Sequence, residues 1–316
     1  MGKIDKIQQQ LEGTEYLPLL EYWTFDAEAE NKSPRTIEAY WENMSKLFLW
    51  CLAHGITDPA DIDKTVIRTW IIEATKRVRE KTLSAHTINA RLRHWRAFYR
   101  VLTREGMVAP AKDPMDGIRP IKAPKILKTV ITPEQITKII KHRMLQRKKF
   151  YPIRNRIIIL LLWDCMIRVG ELVGMTDKSV LLHQSLIRVF GKGDKERLVP
   201  MGSITRKRLH KYMQVRYKLP GTALICTKSG DPTTPTAIRQ LLRRLDPIAG
   251  IHLHPHLIRH SAATNYANQP GARIAALQKI LGHESLAVTQ AYLHLSAEAT
   301  VEAYADYSPV KSLRIK

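Results

Sequence analysis

Apolar residues between positions 15 and 105 return every three or four places, the repeat of helices that bury one face. Ile37, Tyr40, Trp41, Met44, Leu47 and Phe48 share one such face. Ser33-Pro34 precedes it, a side-chain cap followed by proline in the first turn, and His54-Gly55 ends it. A second helix is expected around 64–76, carrying Val66, Trp70, Ile71 and Ile72. A third begins near Ser84 with Ile88, Leu92, Trp95, Tyr99 and Leu102 on its apolar side. The opposite side of that helix carries Arg93, Arg96, Arg100 and Arg104. Charged helix faces are usually plain solvated surface. This one has a single sign and no interleaved acids, which points instead to contact with a nucleic-acid backbone or groove.

Helical periodicity then fails. Over 106–130 the chain alternates Pro110, Pro114, Pro120 and Pro124 with Lys112, Lys122, Lys125 and Lys128, the composition of an extended basic linker. The expected organisation is a helical domain over 1–106, a linker over 107–130 and a second domain over 131–316. That second domain opens on Thr132-Pro133-Glu134-Gln135, a capping box with proline at the first helical position. Residues 151–164 are apolar over most of their length, as in a buried helix. Two short runs, 186–190 and 196–199, flank Gly191-Lys192-Gly193-Asp194 and predict a β-hairpin with Lys192 near its tip. A basic helix over 204–219, a short strand over 223–226 and a helix opened by Thr234-Pro235 follow. The last of these bears Arg239, Arg243 and Arg244, and beyond His256 the chain reads as mostly helical. The predicted fold class is mainly α with a small antiparallel β-sheet, in two domains.

Composition narrows the function. The chain has 316 residues, enough for two cores, and ordinary apolar content, but 51 Lys and Arg stand against 29 Asp and Glu for a net charge of +22. Such an excess favours a polyanionic partner, with nucleic acid ahead of a membrane surface because the basic residues are not gathered in one block. The longest apolar run, 157–163, is too short to span a bilayer, and the first residues hold no hydrophobic signal region. Cys51, Cys165 and Cys226 are too few and too scattered for a disulfide framework or a zinc knuckle, so a cytoplasmic chain with reduced thiols is expected.

Candidate chemistry lies towards the C-terminus. The stretch LGHESLAVTQAYLH over 281–294 places Tyr292 nine residues after His283. A phenol titrates at about pH 10 and needs bases or cations to act as a nucleophile. Upstream, HPHLIRHSAAT puts His256 and Arg259 three apart on one helical face. Arginine offers always-charged donors that match phosphate oxygens, so these groups together would suit phosphoryl transfer with a covalent step. His252, His254 and His256 alternate as strand-borne metal ligands would, but no carboxylate cluster accompanies them, and no metal is expected. Gly191-x-Gly193 lacks the following helix and the Ser or Thr of a nucleotide loop.

These motifs in order make the chain resemble the tyrosine recombinase family, of the phage integrase and Xer type. IRVGEL matches the family's first arginine motif, giving Arg168 with Glu171 as its acidic companion. GKGDKERLVP matches the hairpin whose lysine is catalytic, hence Lys192; HLIRH gives His256 and Arg259; LGHESLAVTQAY gives His283 and the nucleophile Tyr292. The resemblance implies a two-domain clamp on duplex DNA, a helical SAM-like core-binding domain with an α+β catalytic domain. It further implies site-specific strand exchange through a 3′-phosphotyrosyl intermediate, without a cofactor. The partners it implies are double-stranded DNA carrying specific recombination sites and a homotetramer on synapsed DNA, in a nucleoid-associated setting. A segment over 296–307, with Ala297, Val301 and Tyr304 on one side, would dock on a neighbouring protomer. Arg93, Arg96, Arg100, Arg104, Arg239 and Arg243 are the expected DNA contacts. Two departures stand out. Cys165-Met166 occupies the place of the family's usual Thr-Gly pair, so a positive backbone angle there would strain Met166, and Gly170 replaces a common serine. The rival readings are a non-catalytic architectural or regulatory DNA-binding protein and a type IB topoisomerase-like relaxing enzyme.

Overall fold

A computed structural model describes residues 2–124, 129–147, 149–191, 196–269 and 271–282. Lys192, His283, Tyr292 and the 296–307 segment lie outside the described residues. The chain divides into two compact units, Met1–Ile126 and Leu127–Lys316.

The first unit is helical: α1 (Lys3–Leu11), α2 (Tyr16–Ala29), α3 (Pro34–Ala53), α4 (Lys64–Arg79) and α5 (Ala85–Arg104). Local chemistry sets the helix starts. Ser33 accepts from the Thr36 N–H at 3.2 Å and Ser84 from the Thr87 N–H at 3.0 Å. Trp41, Met44, Leu47 and Phe48 of α3 pack with Ile88, Leu92, Trp95 and Tyr99 of α5 in one core, as the periodicity required. Helix α1 was not anticipated, though Ile4, Ile7 and Leu11 carry its spacing; Leu11 is fully buried.

The expected linker is shorter than its composition suggested. Met115 and Ile118 are buried in the first core, and Ile121 exchanges two hydrogen bonds of 2.9 Å with the Asn89 side chain. Proline and lysine spacing gives no sign of burial by a distant partner, which is why these contacts do not show in the composition of the linker.

The second unit runs α6 (Pro133–Lys141), α7 (Arg143–Gln146), α8 (Phe150–Trp163), α9 (Val169–Gly174), α10 (Ser203–Arg216), α11 (Pro235–Arg243), α12 (Asp246–Ala249), α13 (Pro255–Ala267) and α14 (Ile274–Leu281). Between α9 and α10 lies an antiparallel sheet in the order β1 (Val180–Leu181), β2 (Leu186–Phe190), β3 (Glu196–Pro200). The register pairs Ile187 with Val199 and Val189 with Arg197. The capping box is present, with Thr132 and Gln135 each holding the other's backbone N–H. Helix α8 is the centre of the core, buried along 156–162. The strand expected over 223–226 does not form as a ladder. Leu224, Ile225 and Cys226 are fully buried and take single bridging bonds, such as Leu224 N–H to Met175 O at 2.8 Å. A short apolar run shows burial without showing its hydrogen-bond partners. No described helix is long and apolar enough to cross a membrane.

Candidate active site

Arg168 stands at the N-cap of α9, and three residues on Glu171 reaches back to accept its backbone N–H at 2.8 Å. A carboxylate there also meets the positive end of the helix. The Arg168 guanidinium donates Nη1 to Glu171 Oε1 at 2.9 Å, yet its side chain is 38% exposed, so further donors face solvent. Glu171 itself is 7% exposed. Burial, the largest single influence, pushes its carboxyl up. Hydrogen bonds from the Arg197 side chain and from the Arg168 backbone, the charge of Arg197 and a further hydrogen bond from the Arg168 side chain outweigh this and hold it below the ordinary glutamate value.

The turn before α9 has the strain that its sequence foreshadowed. Met166 adopts φ +50°, in the left-handed region. Its side chain is buried with Ala262, Ala263, Ala267, Leu277 and Leu281, a small cluster joining the turn to α13 and α14. Its carbonyl accepts Arg259 Nη1. Arg259, 5% exposed on α13, also donates Nη2 to Leu281 O at 2.7 Å. One guanidinium thus ties the turn leading into Arg168 to the end of α14.

His256 sits at the surface one turn before Arg259. Burial of part of the ring lowers its pKa from the ordinary histidine value, and the charges of Arg259, Arg168 and Arg239 lower it further. The imidazole therefore favours its neutral, proton-accepting form. The three guanidiniums that act on this ring come from the N-cap of α9, from α11 and from α13. The alternating histidines separate here. His252 pairs with Asp246 at 2.8 Å and His254 caps α13 through Nδ1, and no group of three metal-ligating side chains occurs among the described residues.

Arg197 on β3 is the site residue that sequence reasoning missed. Its Nη1 and Nη2 each donate to one Glu171 oxygen at 2.8 Å, and its Nε donates to Ile280 O at 3.0 Å. The available signal was strand alternation: Arg197 shares a face with buried Val199, whereas Leu198 points out. A cation on a core-facing position needs a buried counter-charge.

The expected arginine stripe on α5 is divided by its contacts. Arg93 and Arg100 are exposed. Arg96 donates to Ile118 O at 2.5 Å. Arg104 is engaged by Asp26 at 2.5 Å, Glu105 at 2.7 Å and Glu30 at 3.2 Å. The acids absent from the helix face are supplied by Asp26 of α2, by Glu30 at its C-cap and by Glu105, which corrects the reading of an unpaired single-sign stripe at Arg104. Arg243 is exposed at the end of α11.

Comparison with known proteins decides the family. Residues 129–299 match the phage integrase family, and residues 20–106 match the phage integrase N-terminal SAM-like domain. The chain belongs to the phage integrase family of tyrosine recombinases. It is 34% identical over 228 residues to tyrosine recombinase XerC of Alcanivorax borkumensis, covering 70% of this chain and 73% of that one. It is 28% identical over 289 residues to XerC of Bacillus subtilis, covering 89% and 92%. Among solved structures, its fold resembles the Tn1549 transposon integrase in complex with circular intermediate DNA, with a TM-score of 0.69 at 19% identity over 90% of this chain and 98% of the other. It also resembles the XerH site-specific recombinase bound to palindromic difH substrate, with a TM-score of 0.67 at 20% identity over 88% and 82%. At these identities the likeness to the solved structures is one of fold.

Proposed function

We propose that this tyrosine recombinase cleaves and rejoins duplex DNA at specific sites through a 3′-phosphotyrosyl intermediate. The observation that carries the reading is the tie from Arg259 Nη1 to the Met166 carbonyl, in the turn that leads into Arg168, with His256 one helical turn before Arg259. Two phosphate-matching cations and a proton acceptor thus belong to linked elements of the fold. Tyr292 Oη attacks the scissile phosphorus, His256 accepts the phenol proton, and the bond from phosphorus to the 5′-oxygen breaks. Lys192 protonates the leaving 5′-oxygen. Arg168 and Arg259 hold the non-bridging oxygens, where charge gathers in the transition state, and His283 donates a hydrogen bond to the same phosphate. Glu171 fixes Arg168. The ester conserves the bond energy, so a 5′-hydroxyl from a partner strand reverses the step.

Exposed Arg93, Arg100 and Arg243, with Arg239, are assigned to the DNA backbone. Assembly is proposed as a homotetramer on synapsed sites, with the 296–307 segment docking on a neighbour. Relatives named XerC and a fold shared with a transposon integrase fit either a resolvase or a mobile-element enzyme.

A nicked duplex, selected from a random pool by the protein itself, tests the reading. The wild type is expected to give a covalent protein–DNA band that disappears in Tyr292→Phe; absence of the band from the wild type indicates a non-catalytic binding protein. Strand exchange between two such duplexes is expected, and relaxation of supercoiled plasmid without exchange would indicate a topoisomerase instead.

A further inference from the structure

We propose that Arg197 is a positioning residue that fixes the Arg168 guanidinium against the same helix end that holds Arg259. The proposal rests on the strand-cleavage reading above and adds a residue to its machinery.

The geometry is a chain of four contacts. Arg197 occupies both Glu171 oxygens at 2.8 Å, so the carboxylate has no rotational freedom left. Glu171 in turn holds Arg168 twice, through the backbone N–H at 2.8 Å and Nη1 at 2.9 Å. The third donor of Arg197, Nε, reaches Ile280 O at 3.0 Å. The next carbonyl, Leu281 O, accepts Arg259 Nη2 at 2.7 Å. Two consecutive carbonyls at the end of α14 therefore serve as a common reference for both phosphate-clamping guanidiniums. Arg259 reads that reference directly; Arg168 reads it only through Glu171 and Arg197.

The adjoining backbone is shaped for this contact. Gly282 ends α14 at φ +61°, and a Cβ built there would lie 3.1 Å from Arg197 Cδ and 3.2 Å from Nε. Glycine at 282 thus meets two needs, a left-handed cap and room for the Arg197 side chain. Arg197 is 14% exposed on a sheet face whose other members, Ile187, Val189 and Val199, are apolar, and Glu171 on α9 is 7% exposed. A buried ion pair is on average no more stabilising than apolar side chains of the same volume. What it supplies that apolar packing does not is a fixed direction for a third charged group.

The test is a double-mutant cycle in the full-length protein, with a nicked duplex selected by the wild type as probe. Single-turnover covalent product formation, duplex affinity and the unfolding midpoint are measured for Arg197→Met, Arg168→Ala and the double variant. Arg168→Lys serves where the alanine variant falls below detection. Arg197→Met is expected to slow cleavage by about tenfold to a hundredfold, the scale of a misplaced reacting group, with duplex affinity nearly unchanged. In the Arg168 variant background the same substitution should cost less than about threefold, because no clamp remains to be positioned. Arg197→Lys, unable to make the two-pronged contact, should be slow as well. Losses that multiply in the double variant overturn the proposal, as does an Arg197→Met enzyme of wild-type rate. No covalent product from the wild type overturns the strand-cleavage reading itself.

Discussion

Two groups of arginines in this molecule, one a stripe on a single helix and one drawn from separate motifs, differ in how their charge is balanced. At the end of α5, Arg104 alone meets three carboxylates, those of exposed Glu30, of Glu105 and of the more buried Asp26. In the second unit, Arg168 and Arg197 share the single carboxylate of Glu171, and Arg259 is seen donating to neutral carbonyls. Three carboxylates face Arg104 and Lys32 in the first cluster, whereas in the second the charges of Arg259, Arg168 and Arg239 act on His256 and lower its pKa. A count of basic residues cannot separate these cases; the accounting of their partners does.

The comparison can be broken most sharply at Glu171. Replacing it by alanine leaves two cations without their shared counter-charge, one of them well buried, and should destabilise the catalytic unit by about 3–5 kcal/mol in denaturant unfolding. Removing Glu30, an exposed partner of Arg104, should move the midpoint far less. The pH dependence follows the same sign. Because the folded-state pKa of Glu171 is depressed, its stabilisation is complete above the ordinary glutamate value and is lost as pH falls through the depressed one. Glu171→Gln should remove that part of the acid limb.

The next effect concerns the strained turn. Met166→Gly relieves about 1 kcal/mol of left-handed strain but empties a buried site worth about 2–5 kcal/mol. A net loss of roughly 1–4 kcal/mol is expected by thermal or chemical unfolding. A gain would mean that the cluster around Met166 contributes less than its burial indicates. A smaller effect is expected at Arg239. With that cation replaced by glutamine, protonation of His256 becomes less unfavourable and its pKa rises, so the acid limb of the cleavage rate should move to higher pH. An unmoved limb would detach Arg239 from the site. The smallest differences are in salt dependence. Loss of Arg93 or Arg100 should make the slope of log affinity against log salt shallower by about 0.9 per phosphate contact, whereas Arg104→Gln should leave it unchanged.

Much of this architecture was legible because it is local. Caps at Ser33, Ser84 and Thr132 and the apolar stripes of α3 and α5 depend on residues within a few positions. What escaped depends on distant partners. The acids facing Arg104 come from 74 and 78 positions earlier, apart from the adjacent Glu105. Met115 and Ile118 are buried by helices that proline spacing does not announce. At the candidate site, motif spacing gave the residue types, and the positive φ of Met166 was foreshadowed by its replacement of glycine. Arg197 was hidden because its role is set by α9 and α14, elements that pattern reading of β3 does not reach.

The central claim is that the charges of Arg168 and Arg259 in the second cluster are used on the transition state of strand cleavage. Single-turnover formation of the covalent adduct by Arg168→Ala and Arg259→Ala, beside their duplex affinities, tests it most directly. The account predicts rates lower by about 10²–10³-fold with affinity changed by less than about tenfold, as when a preorganised donor to a developing charge is removed. Rates that fall only in step with affinity, or do not fall, would contradict it.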